Sequence, residues 1–209
     1  MLEETYGPFS VANRDVDLLP ALVNKNGLSR HHTAHVELAW PQEVFGTSWS
    51  EQKRNLEAQA TALAERECEA FLRTFASRCG TSSTSVSAWS RSVSLVINLY
   101  FALKNDFGTA PQADEKRLYT FDLRYEGDGG ISPQLRSASA GASRRDSIYR
   151  QIRQDCEDVK TVYGNCLLYR VHISTVVAGG DRKPDLSISG YASLATLLSK
   201  DRQVPNDWR

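Results

Sequence analysis

The chain reads as an α+β protein of the ferredoxin-like type, a βαββαβ arrangement with two helices on one face of an antiparallel sheet. Three observations predict it. Two stretches repeat apolar residues by threes and fours, four alternate apolar and polar residues, and they occur in the order strand, helix, strand, strand, helix, strand. The pattern divides the 209 residues into an N-terminal arm (1–29), a core domain (30–191) and a C-terminal tail (192–209).

The arm is irregular, broken by Pro8, Asn13, Pro20, Asn24, Asn26 and Gly27, and its apolar patch around Leu18 and Leu19 is a candidate interface. His31 to Trp40 places Ala34, Val36, Leu38 and Trp40 on one parity, the pattern of a half-buried strand, and Pro41 ends it. Trp49 to Arg78 steps through Leu56, Ala60, Leu63, Ala64, Cys68, Phe71, Leu72 and Phe75 on one helix face. Ser48 and Glu51 form a capping box and Gly80 stands as a C-cap. The Ser/Thr-rich run Thr81 to Ser85 reads as a connector.

Val86 to Leu103 follows as one long strand, and a turn-rich stretch to Glu115 joins it to Lys116–Tyr125 as a hairpin. Glu126 to Ala142, with four glycines, is a long loop. Ser143 to Tyr163 carries the stripe Ile148, Ile152, Cys156, Val159 and Tyr163, closed by Gly164. Leu167 to Val177 is the fourth strand, Asp185 to Tyr191 an edge strand and Ala192 to Lys200 a short helix. No internal repeat is visible by residue similarity.

This topology puts the first strand between the third and fourth. The parity that avoids the helices projects from an open sheet face, where His35, His172, Asp122 and Arg124 approach one another. Three uses of that face follow. His35 and His172, with Tyr100, are the acid/base candidates for metal-free RNA cleavage, should the chain be an enzyme. Arg124, Arg136, Arg144, Arg145, Arg150, Arg153 and Arg170 are the phosphate-binding candidates of an RNA-binding reading. In that reading the open face works with the basic segment 136–153.

Val96, Tyr100 and Trp208 join Leu18 and Leu19 as interface candidates for an assembly subunit. His31, His35 and His172 are weak metal-ligand candidates. His32 points away from its neighbours on a strand, and no second ligand motif supports a site.

Composition narrows these choices. Lys+Arg and Asp+Glu both total 25, so the net charge is zero, which argues against binding nucleic acid by bulk electrostatics. No Walker loop, G-x-G-x-x-G, G-x-S-x-G or His-Glu-x-x-His is present, and no cofactor is implied. Asp155, Glu157 and Asp158 read as a solvated acidic face. Cys68 and Cys156 lie on helix stripes as small buried hydrophobes, and Cys79 and Cys166 stand at element ends as candidate exposed thiols; no C-x-x-C or zinc-ribbon spacing exists, and a disulfide is open but unsupported. With neither a basic n-region nor an apolar run long enough to span a bilayer, the expectation is a cytoplasmic protein that does not engage a membrane.

The sequence therefore favours a non-enzymatic subunit that self-associates or docks in a larger complex. RNA binding and RNA cleavage are the alternatives.

Overall fold

The computed structural model describes residues 12–14, 32–41, 48–89, 92–104, 116–128, 137–178, 185–199 and 201. The strands are β1 (Ala12–Arg14), β2 (His32–Pro41), β3 (Ala76–Trp89), β4 (Ser92–Leu103), β5 (Lys116–Asp128), β6 (Leu167–Ala178) and β7 (Asp185–Ser199). The helices are α1 (Trp49–Thr74) and α2 (Ala142–Tyr163). Six long strands and the three-residue β1 form one sheet in the order β1-β5-β7-β6-β2-β4-β3. Every described pairing is antiparallel except β2 with β6, which is parallel.

This corrects the ferredoxin-like expectation. A four-stranded antiparallel sheet does not accommodate the extra strands β3 and β7 or the parallel β2–β6 pair at the centre. The first long strand, β2, lies between β4 and β6, and β5 is two strands further out beyond β7 and β6. The expected hairpin of the second and third strands is absent too, because β5 pairs with β7 rather than with β4.

Two misread segments account for most of the difference. The Ser/Thr-rich run belongs to β3, which turns back on β4, so the single long strand is in fact two. Helix α1 ends at Thr74, and Gly80 lies inside β3 rather than capping the helix. The Tyr100 ring lies over Gly80, where an added Cβ would come within 2.5 Å of it. The proposed edge strand and tail helix are one continuous strand, β7, placed between β5 and β6. Every residue from Ala192 to Leu198 is buried, so both faces of this strand are covered and the period-two signal disappears.

The helix readings match closely. The Glu51 carboxylate accepts the Ser48 backbone N–H at 3.2 Å, the return half of the capping box. Gly164 ends α2 in the left-handed region at φ 88°, and its N–H donates to the Lys160 carbonyl at 2.7 Å. Between helices and sheet lies one core, in which Val36, Trp40, Leu56, Phe71, Leu95, Ile97, Phe121, Ile152 and Leu194 are at most 1% exposed.

Within that core sits a buried ion pair. The Glu67 Oε1 accepts N–H groups of Arg145 at 2.8 and 3.1 Å, and Oε2 accepts the Tyr149 hydroxyl at 2.7 Å. Arg145 also donates to the Ala140 carbonyl and, at 3.3 Å, to the Thr175 hydroxyl. Burial pushes the Glu67 carboxyl up, but the Arg145 charge and the hydrogen bonds from Arg145 and Tyr149 outweigh it and hold the group below its usual range. Burial and the Glu67 charge both push the Tyr149 hydroxyl well above its usual range, so it stays a donor.

Asp155, expected on a solvated face, is also buried and accepts the Tyr125 hydroxyl at 2.6 Å. At the far end of β7, Asn165 holds the backbone of Leu197 on both sides, accepting at 2.7 Å and donating at 2.9 Å.

The cysteine reading is corrected as well. Cys68 on α1 is bonded to Cys79 on β3, and Cys156 on α2 to Cys166 just before β6. None of the four is a free thiol. Each bridge ties a helix to the strand that follows it. The helices were legible in sequence, but where the strands bring the second thiol was not.

Two outcomes follow. Replacing Glu67 by Gln leaves Arg145 charged and buried without its counter-ion, and chemical denaturation is expected to show a loss of about 3–5 kcal/mol. Reducing either disulfide is expected to cost about 2–4 kcal/mol, since each closes a short loop; denaturant midpoints with and without reductant check this.

Candidate functional site

Both helices cover the same side of the sheet, leaving the opposite face without a helical layer. Across it the register aligns a row that spans six strands: Ser83 (β3), Asn98 (β4), His35 (β2), His172 (β6), Tyr191 (β7) and Arg124 (β5). The Asn98 amide donates to the Ser83 hydroxyl at 3.0 Å, and its carbonyl oxygen lies 2.9 Å from His35 Nδ1, which donates to it. The His35 and His172 rings stack at 4.6 Å with 4° between their planes, and His172 stacks on Tyr191 at 5.0 Å and 9°.

The expected approach of His35 and His172 is therefore present, but Asp122 and Arg124 are not beside His35 because two strands intervene. Asp122 instead accepts the Ser193 hydroxyl at 2.5 Å. Ser83, read as part of a connector, and Tyr191 are the members of the row that sequence reasoning missed. The Tyr191 segment was legible as a strand, but not as a neighbour of β6.

The rings stand side by side, so both faces of the His172 imidazole are occupied by its neighbours. A nucleobase needs an exposed ring face to stack on, and Tyr100, 43% exposed, turns its ring over Gly80. An acid and a base that cleave a phosphodiester must bracket the phosphate, and two imidazoles in contact leave no gap for one. Burial, then the neighbouring His35 charge, hold the His172 pKa below its usual value, while Glu37 works weakly the other way. The face mixes Glu37, Asp122 and Glu126 with Arg124 and Arg170, which gives it no dominant charge.

The remaining candidates do not converge. Arg145 is consumed by Glu67 in the core and offers nothing to a phosphate. Arg153 donates to the Thr74 carbonyl at 2.6 Å, and Arg144 and Arg150 are exposed on α2. These lie on the helix side of the sheet, whereas Arg124 and Arg170 are exposed on the opposite face. Val96 is half-buried on the open face. Leu18, Leu19, His31, Arg136 and Trp208 lie outside the described residues. Among the described residues no three His, Cys, Asp or Glu side chains converge as metal ligands, and no helix is long and apolar enough to cross a membrane.

The edges of the sheet complete the description. No described strand pairs with the outer side of β3. Its stretch from Cys79 to Trp89 holds neither charge nor proline, and Thr81 to Ser85 are all exposed. At the other end, β1 covers β5 only from Leu118 to Thr120. No protein-family model, curated protein or solved structure matches the chain at a significant level.

The His172 shift has a pH consequence. Its folded pKa lies below the ordinary value of 6.5, so the unfolded chain takes up the proton first as pH falls. The stability it contributes is complete above 6.5 and declines as pH drops from there through the folded value. Thermal melts are expected to fall over that window in the parent and to fall less in His172→Gln; equal slopes refute the assignment.

Proposed function

We propose that this chain is a non-enzymatic assembly subunit that associates through the edge of its sheet. The observation that carries the reading is the outer edge of β3, whose stretch from Cys79 to Trp89 lacks the charges and prolines that normally block strand addition and is paired with no described strand. An unpaired edge presents a row of backbone donors and acceptors, and an incoming strand satisfies them without needing a pocket. The broad open face supports the same reading. It carries mixed charge and bears half-buried Val96 and exposed Tyr100 beside small hydroxyl side chains.

The two disulfides fit a subunit that works in a non-reducing environment. They also fit one whose helices stay fixed to the sheet while its edge is engaged.

Light scattering coupled to size exclusion, across a wide concentration series, tests the reading. Masses that rise in multiples of 23.3 kDa, or a stable complex with a partner protein, are the expected result. A strict monomer throughout, with no partner, overturns it.

A further inference from the structure

The sheet is built from the same unit twice. Strand β2, helix α1 and strands β3 and β4 form the first unit, in sheet order β2-β4-β3. Strand β5, helix α2 and strands β6 and β7 form the second, in the same order, β5-β7-β6. In both units the third strand lies between the first two and runs antiparallel to each.

The correspondence extends to single residues at one constant sequence step, that from Cys79 to Cys166. The same step carries the register shift at Thr81/Ser83 onto the one at Leu168/Arg170. Through the third-strand pairings it also carries Thr84 to Val171 and Val36 to Leu123. Within one residue of that step, Cys68 matches Cys156, and buried Glu67 matches buried Asp155; each of these acids accepts a tyrosine hydroxyl. Strand order, disulfide, bulge and buried acid coincide, although the residues themselves show no repeat.

The two units meet where β6, the second strand of one, pairs in parallel with β2, the first strand of the other. That junction joins unlike edges, so it leaves one further edge of each kind. The sheet ends in a second strand, β3, on whose outer side no described strand lies, and in a first strand, β5, on whose outer side none lies from Phe121 to Asp128.

We infer that β3 of one copy of this chain receives β5 of a second copy, in the parallel register by which β6 receives β2. Carried across, the pairs Val171–Ala34, His172–His35 and Ile173–Val36 become Thr84–Phe121, Ser85–Asp122 and Val86–Leu123. Side-chain facing is preserved. Val86 and Leu123 both lie on the helix side, where Leu123 is buried and Val86 half-buried, while Ser85 and Asp122 are both exposed on the open face. Because β3 has no charged residue from Cys79 to Trp89, no like-charge pair arises there. The strand β1, confined to Leu118–Thr120, flanks the incoming edge. The contact is head-to-tail, so repetition gives a closed ring or an open filament rather than a two-fold dimer.

The inference rests on the assembly reading above, and cross-linking separates the two. With all native cysteines in disulfides, Ser85→Cys and Asp122→Cys each introduce one free thiol. A short bis-maleimide under non-reducing conditions is expected to yield a covalent dimer from an equal mixture of the two variants and none from either alone. The double variant is expected to give a ladder or one discrete ring. Ser87→Cys with Arg124→Cys, from the Ser174–Glu37 pair, repeats the test at a second position.

Cross-linking of Ser85→Cys with itself, without the mixed product, means a two-fold pairing of β3 edges and overturns the head-to-tail register. No mixed product at either position, with oligomers still seen by light scattering, overturns it and leaves the assembly reading standing. A monomer in light scattering removes both.

Discussion

The packing of the helices depends on the burial of one ion pair. Glu67 on α1 and Arg145 on α2 lie under both helices, and their bonds reach the Ala140 carbonyl in the turn before α2 and the Thr175 hydroxyl on β6. One cluster thus fixes α1, the entry to α2 and the central strand relative to one another. Removing two charges from water is expensive, and the attraction offsets that cost only when the remaining donors and acceptors are satisfied. Here both carboxylate oxygens are engaged, and Tyr149 supplies a neutral donor that burial prevents from ionising. Such a cluster specifies one arrangement of helices over sheet, because a shifted helix leaves a charge unpaired.

Around that point the molecule repeats a simpler device. Each helix is tied by a disulfide to the strand that follows it, and each carries a buried acid that receives a tyrosine hydroxyl. The bridges act close in sequence and the acids act across elements. Together they hold a helical layer over a seven-stranded sheet. Among the described strands this sheet does not close on itself, so its ends remain edges. The hydroxyl-rich β3, uncharged from Cys79 to Trp89, is one of them.

The central β2–β6 pair is where the proposed assembly has its pattern. A parallel pair between two like units is a heterologous contact already made once inside the chain, with its register fixed by buried Ala34, Val36, Val171 and Ile173. The stacked His35, His172 and Tyr191 rings on the opposite face belong to this seam and mark its polar side. Their side-by-side stacking suits a joint between strands better than a catalytic cleft.

What the sequence alone determined is what depends on neighbours a few residues away. The apolar stripes of α1 and α2, the Ser48–Glu51 cap, the Gly164 stop and the one-sided alternation of β2, β4, β5 and β6 are local patterns, and the structure carries them all. What only the tertiary structure decided is which strands meet. Strand β7 lost its alternation because both its faces are buried, and β3 lost its own because an edge strand of Ser and Thr needs little apolar surface. Asp155 read as solvated because its charge is local, whereas the Tyr125 hydroxyl that satisfies it comes from another strand. The pairing of β2 with β6, the cysteine bridges and the doubling of the unit are set by contacts between residues distant in sequence. Backbone pairing is nearly indifferent to which residues carry it, so no local pattern records its partner.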